Sequence, residues 1–148
     1  MAEVVAIAIA GEKGELPKPV ERVRARAGRG LEGEYHFAPG GAGSGAAITL
    51  IAEEALEAFH ADTGLDVSHA DTRRNVLTRG IDLNALVGRR FRVGEVECAG
   101  VELCEPCRRL ARLVDEFGVL RGLVHRGGLR ADVLSDGEIA VGDAVAPA

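Results

Sequence analysis

The run Cys104-Glu105-Pro106-Cys107-Arg108-Arg109-Leu110 places a thiol where electrostatics favour its reactive form. Pro106 suits the first turn of a helix, and Cys107, Leu110, Ala111 and Val114 follow the i, i+3, i+4, i+7 spacing of one helix face. The spacing therefore predicts a helix whose first turn carries Cys107. Free backbone N–H groups at that end, with Arg108 and Arg109 beside the sulfur, favour thiolate over thiol. A thiolate is both a nucleophile and a ligand for soft metals. The bland alternative is a small buried hydrophobe capping the helix.

Cys104 and Cys107 also have C-x-x-C spacing, which in redox proteins belongs to a βαβ setting. Here Arg89 to Leu103 reads instead as two joined strands. A structural zinc site needs about four ligands, and Cys98 and His125 do not supply the spacing. Cys98 lies among Val96, Ala99 and Val101 and reads as core. His60 and His69 have no companion at ligand spacing and read as solvated or structural.

The 148 residues, 47% of them hydrophobic, suit one domain spanning 1–148 with ample material for a core. A net charge of -5 argues against tracking a phosphate backbone, and an aromatic content of 3% without Trp removes the stacking platforms of single-strand binders. No nucleic-acid partner is expected. Sixteen of the 18 basic residues are Arg, among them Arg22, Arg24, Arg26, Arg29, Arg73, Arg74, Arg79, Arg89, Arg90 and Arg92. A basic floor within an acidic shell suits one small anion, because the guanidinium fork matches phosphate and carboxylate. Met1 to Ala10 is apolar but short and lacks a basic start, so neither a signal peptide nor a membrane span is expected. Three cysteines, an odd number, point to a reducing compartment, and the expected location is the cytoplasm.

The elements that must position these residues are mostly strands. Val4 to Ala10 is an apolar run, and Val23, Ala25 and Ala27 alternate with Arg22, Arg24 and Arg26 at the period of a strand. Gly28 to Gly45 reads as loop. Its Gly41-Ala42-Gly43-Ser44-Gly45 run matches no phosphate-loop pattern and leads into a strand-like Ala47 to Ile51, so it reads as a rim or lid. Ala52, Ala55, Leu56 and Phe59 define a short helix ending near Gly64. Asp71 to Gly80 is strand-like, and its period puts Arg73 and Asn75 on one side and Arg74 on the other. Asp82 to Val87 offers one or two helical turns before Gly88. Leu129 to Ala146 reads as two strands joined at Ser135-Asp136-Gly137, where Asp-Gly signals a hairpin. Strands dominate without a regular βαβ rhythm, which predicts a mainly β fold, a closed or nearly closed barrel with a few short helices.

Four segments in order resemble the MOSC domain, named after the C-terminal part of molybdenum cofactor sulfurases. They are Gly30-Leu31-Glu32-Gly33-Glu34-Tyr35-His36, Arg73-Arg74-Asn75-Val76 with Arg79-Gly80, Pro106-Cys107, and Gly127 to Leu134 continuing through Gly137 to Asp143. The chain is similar to the small single-domain members, whose fold is a β-barrel with small helices. The resemblance implies molybdenum cofactor, with Cys107 as the metal ligand and catalytic residue. It implies that Arg73 and Asn75, with Arg74, Arg79 and His36, contact the pterin, its phosphate or the pocket around them. It further implies an oxidoreductase component that reduces N-hydroxylated small molecules. The chain has no flavin or dinucleotide fingerprint and no four-cysteine cluster motif, so electrons must come from a separate reductase. The alternatives are a sulfurtransferase in which Cys107 carries a persulfide received from a donor protein, and a non-catalytic cofactor carrier. Pyridoxal phosphate is not expected, since it needs a lysine in a formed pocket and only Lys13 and Lys18 exist, both in a turn-rich stretch.

The first expected outcome concerns the thiols. Near neutral pH an alkylating reagent should modify Cys107 faster than Cys98, measured by mass spectrometry of digested protein. Equal or slower reaction at Cys107 would assign it to an inert core.

Overall fold

Charged and apolar residues alternate over 22–26, 90–93 and 129–133, and the buried set closes on a single core. In the computed structural model, which describes residues 2–37, 41, 45–64, 69, 72–104 and 127–148, Val23 and Ala25 are buried while Arg22 and Arg24 are exposed. Phe91 and Val93 are likewise buried between exposed Arg90 and Arg92. The predicted helix at Pro106 and the expected site residue Cys107 lie outside the described residues.

The elements, in chain order, are β1 (Glu3–Ile9), β2 (Lys18–Val20), β3 (Arg22–Arg26), β4 (Gly30–Leu31), β5 (Ile48–Ala52), α1 (Glu53–Thr63), β6 (Val76–Arg79), a 3-10 turn (Leu83–Leu86), β7 (Arg90–Val93), β8 (Val96–Leu103), β9 (Leu129–Val133), β10 (Gly137–Ala140) and β11 (Val145–Pro147). An eight-stranded sheet runs in the order β11-β7-β8-β9-β5-β6-β1-β2, and a three-stranded sheet in the order β10-β3-β4. The inner residues of both sheets share one core: Val23, Ala25, Leu31 and Ile139 from the small sheet meet Leu50, Val76, Phe91 and Leu129 from the large one.

The large sheet curls into a half barrel, and the expectation of a closed barrel holds only in part. A single bridge, Glu3 to Ala144, brings the start of β1 against the chain entering β11, with the Val4 N–H donating to the Asp143 carbonyl at 2.8 Å. The two edge strands, β2 and β11, do not pair with each other. Each has three residues, and each contains a proline, Pro19 or Pro147, which has no N–H to extend a ladder.

Three local expectations change. One parallel pair occurs among the described residues: β5 and β6, joined by the α1 crossover, with Leu50 opposite Val76. Helix α1 starts with Glu53 and Glu54, favourable to the positive helix end, and stops at Gly64 in the left-handed region, φ 73°. The strand expected over Asp71 to Gly80 begins only at Val76, so Arg73 and Arg74 lie in the turn before it and the strand period does not govern their direction. The tail is not a hairpin. β9 pairs with β8 and β5, whereas β10 leaves for the small sheet and pairs with β3. The Asp136 carboxylate holds that crossing by accepting from the Ala27 N–H at 2.8 Å. The 3-10 turn forms as expected, with the Asp82 side chain accepting from the Asn84 N–H. No helix among the described residues is long and apolar enough to cross a membrane.

Thr78 sits at the centre of the large sheet, fully buried between β5 and β1, and its Oγ1 has no hydrogen-bond partner among the described residues. Burying a hydroxyl in that state costs about 1–3 kcal/mol. Thr78→Val, which keeps the shape and removes the hydroxyl, should stabilise the fold by about 1 kcal/mol. The measurement is the urea midpoint, which should rise with an unchanged slope.

Candidate functional site

The parallel strands β5 and β6 both begin at one end of the large sheet, and the residues at those two starts, Thr49 and Asn75, are bound to each other. Asn75 is buried, and its carboxamide uses its full capacity. Its Oδ1 accepts from the Thr49 N–H at 3.0 Å and from the Thr49 hydroxyl at 3.1 Å. Its Nδ2 donates to the Ala8 carbonyl and to Glu34 Oε2, both at 3.3 Å. The Asn75 backbone adds a bond from its N–H to the Thr49 carbonyl at 3.0 Å and accepts from the Ala8 N–H at 2.7 Å.

Glu34 is the second buried polar group. Its Oε2 also accepts from the Ala10 N–H at 2.8 Å, and its Oε1 lies 3.4 Å from His36 Nδ1. The Gly30 to His36 segment that carries it is folded tightly onto β1 and β5. Gly30 has φ 105°, and a Cβ there would come within 2.9 Å of the Ala47 carbonyl oxygen. The Tyr35 N–H donates to the Ala10 carbonyl at 2.8 Å, and the Tyr35 and His36 rings stack with centroids 4.0 Å apart and planes tilted by 34°.

These groups wall a cavity of about 310 Å³. Its charged lining is Arg73 and Arg74 from the turn before β6, Arg130 from β9, and Glu34, with His36 also in the wall. Thr49, Thr72 and Cys104 complete the polar side, and Pro17, Tyr35 and Leu103 supply apolar contact. The three arginines differ in their commitments. Arg130 donates from Nε to the Gly45 carbonyl at 3.2 Å and pairs with Glu102 at 3.4 Å. Arg74 donates from Nε to the Gly127 carbonyl at 2.8 Å. Arg73 has a buried Nη1 with no hydrogen-bond partner among the described residues.

Among the described residues, Arg73 is also the non-glycine residue found in the left-handed region, at φ 61°. That conformation costs a side-chain-bearing residue about 1–2 kcal/mol. The turn is held from below: the Thr72 hydroxyl donates to the His69 carbonyl at 2.6 Å, and the Thr72 N–H donates to the same oxygen at 3.2 Å. Burial pushes the His69 imidazole down from its usual range, with a backbone hydrogen bond at Arg74 opposing.

Of the residues singled out in the sequence, Arg73, Arg74, Asn75 and His36 come together at this cavity. Arg79 does not: it lies at the far end of β6, is exposed, and pairs with Glu53. Cys107 lies outside the described residues, while Cys104, its C-x-x-C partner in sequence, is buried in the cavity wall. Cys98 is a core residue, as its neighbours indicated. Burial, reinforced by the charges of Glu97 and Asp132, pushes its thiol up to about 12. The sequence reading passed over Glu34, Thr49, Thr72 and Arg130 as site residues. Glu34 and Arg130 stand inside the glycine-rich and closing motifs, which was the available signal; Thr49 and Thr72 carry none outside the fold. Among the described residues no cluster of His, Cys, Asp or Glu could hold a metal ion.

The comparisons agree with this architecture. The MOSC domain model matches residues 32–146, and the chain belongs to that family. The structure of YuaD from Bacillus subtilis superimposes with a TM-score of 0.84 at 18% identity, covering 98% of this chain and 94% of that one. YiiM from Geobacillus stearothermophilus gives 0.78 at 16% identity, covering 100% of this chain and 75% of that one. YiiM from Escherichia coli gives 0.71 at 18% identity, covering 99% and 69%. At these identities the likeness is one of fold. No curated protein matches the sequence.

A strained backbone beneath an unpartnered guanidinium predicts opposite effects on stability and binding. Arg73→Gly removes both the left-handed penalty and the buried Nη1, and should raise the unfolding free energy by about 1 kcal/mol after the added flexibility of glycine is subtracted. The same substitution should weaken binding of inorganic phosphate about tenfold, since a charge-assisted hydrogen bond is worth about 1.5–3 kcal/mol. Urea denaturation and isothermal titration measure the two; a destabilised variant would show that Arg73 serves the fold.

Proposed function

We propose that this chain holds molybdenum cofactor in the Arg73–Arg74–Arg130 cavity and acts as the oxidoreductase component of a system that reduces N-hydroxylated small molecules. The observation that carries the reading is Arg73 Nη1, buried in the cavity wall with no partner among the described residues and held on a strained backbone. A buried guanidinium nitrogen left unpaired is expensive unless a ligand oxygen completes it. The family is associated with molybdenum cofactor, and the donor set fits the anionic part of that group.

In this reading Arg73 and Arg74 take the phosphate, with Arg130 on the opposite strand and the Thr49 and Thr72 hydroxyls as neutral donors. Guanidinium forks neutralise a phosphate and fix its direction at once. Asn75 makes no direct contact in this arrangement, because its amide is fully used by Thr49, Ala8 and Glu34; it holds the cavity in shape. Cys107 supplies the thiolate ligand that the family resemblance assigns to it. When bound, the cofactor supplies a metal centre competent for oxygen-atom and two-electron chemistry. The protein's part is to anchor the pterin, limit water with Pro17, Tyr35 and Leu103, and admit an electron-donating partner.

Sulfur transfer is the second reading, favoured by the burial of Cys104 in the same wall. A persulfide on Cys107 released through an internal disulfide needs both thiols, whereas metal ligation needs one. A non-catalytic carrier would share the binding residues and lack the reaction.

The test is metal analysis of protein expressed in a host that makes the cofactor, together with reduction of an N-hydroxylated substrate using an artificial electron donor. Cys107→Ser should abolish molybdenum retention and reduction, while Cys104→Ser keeps most of both. A protein without molybdenum that carries sulfane sulfur on Cys107, with release blocked in Cys104→Ser, would establish the sulfur carrier. Retained molybdenum without turnover would establish the carrier of cofactor.

A further inference from the structure

We propose that Glu34 and His36 form a carboxylate–imidazole pair in which the ring delivers a proton to the leaving oxygen of a substrate bound in the arginine-lined cavity. The inference rests on the reductase reading of that cavity and assigns a proton-transfer role to two side chains in its wall.

The two members of the pair are prepared differently. The Glu34 side chain is 5% exposed and the His36 side chain 47% exposed, so the carboxylate is sealed and the imidazole stands at the mouth. Glu34 Oε2 is filled by the Ala10 N–H and the Asn75 amide, which fixes the carboxylate independently of the ring. Its other oxygen, Oε1, is left facing His36 Nδ1 at 3.4 Å. A carboxylate beside Nδ1 favours the tautomer with hydrogen on that nitrogen, and Nε2 becomes the atom that takes and gives a proton. The stacked Tyr35 ring restricts how far the imidazole can swing.

Among the described residues, the other titratable and charged groups facing this cavity are Arg73 and Arg74 from the turn before β6, Arg130 from β9, Cys104 at the end of β8 and Tyr35 on the same segment. Guanidinium groups do not release protons under ordinary conditions. Imidazole is the side chain that exchanges protons most readily near neutral pH. The arginines bind; the histidine is equipped to transfer.

Reduction of an N-hydroxylated compound has a definite proton requirement. The N–O bond breaks as two electrons arrive from the separate reductase, which is oxidised. One proton, from Nε2 of the doubly protonated His36 ring, goes to the departing oxygen and makes it water, leaving the ring neutral with its hydrogen on Nδ1. A second, from solvent, goes to nitrogen and completes the N–H bond. His36 is then reprotonated from solvent, to which its half-exposed ring has access.

His36→Gln should take up as much molybdenum as the wild-type protein but show kcat lowered by about 10²-fold or more with KM little changed, the size expected of general acid catalysis. Free imidazole should restore part of the rate. Nitrogen NMR of the wild-type protein should find neutral His36 protonated on Nδ1, and Glu34→Gln should shift it toward the Nε2–H form. The proposal is overturned if loaded His36→Gln turns over at the wild-type rate, if it loses rate and molybdenum together, or if the wild-type ring already carries its hydrogen on Nε2. A wild-type protein that takes up no molybdenum and reduces nothing overturns the reductase reading itself, and the donor role with it. Because His36 is half exposed, its substitution leaves the fold intact even if Glu34→Gln does not.

Discussion

The Asn75 carboxamide is the joint on which the rest of the cavity depends. A buried amide with two accepted and two donated hydrogen bonds can occupy one orientation only, since rotating it would set donors against donors. In this protein those four bonds reach β5 through Thr49, β1 through Ala8, and the glycine-rich segment through Glu34. Three pieces of chain far apart in sequence are thereby held at one point. The start of β6 is pinned beside the start of β5, and the turn carrying Arg73 and Arg74 has to leave from there.

Around that joint the polar groups divide into two kinds. Asn75, Thr49 and Glu34 Oε2 are saturated by protein partners and make a rigid frame. Arg73 Nη1, which has no hydrogen-bond partner among the described residues, keeps capacity that the frame does not use, and Glu34 Oε1 is taken up by His36 Nδ1 at 3.4 Å. Strain is concentrated on the same side: Arg73 holds φ 61° directly above the His69 carbonyl that fastens the turn through Thr72. Stored strain and unpaired polar atoms persist where the surrounding structure over-determines them, and they coincide with functional sites. Here the over-determination has an identifiable source in the Asn75 joint.

The half-barrel architecture sets where such a joint can form. β5 and β6 run parallel, so their beginnings lie at the same end of the sheet, and β9 places Arg130 near that end by pairing antiparallel with β5. Antiparallel neighbours alone would put the starts of consecutive strands at opposite ends. The α1 crossover therefore matters to the site although none of its described side chains lines the cavity. The small sheet contributes from the other direction: β4 anchors Gly30 and Leu31, from which the segment bearing Glu34, Tyr35 and His36 departs.

Sequence alone determined the strand content, the arginine-faced β3, the helix ending at Gly64, the 3-10 turn before Gly88, the core position of Cys98 and the family. Each depends on a pattern contained within a few consecutive residues: period-two alternation, a glycine past a helix, an aspartate before a turn, or a short motif. It also brought Arg73, Arg74, Asn75 and His36 forward as a group through motif resemblance. What it did not contain was the division of labour among them. Arg73 and Arg74 both reach the cavity because the strand starts after them, and Asn75 is a joint because Thr49, Ala8 and Glu34 arrive from elsewhere. The same holds for the tail, where the Asp-Gly signal marks a crossing between sheets, since β9 and β10 found better partners in β8 and β3 than in each other. Local patterns specify conformation and which face is apolar; which hydrogen-bonding groups are left unused is decided only when distant strands have chosen their neighbours, because saturation is a property of the whole set of partners.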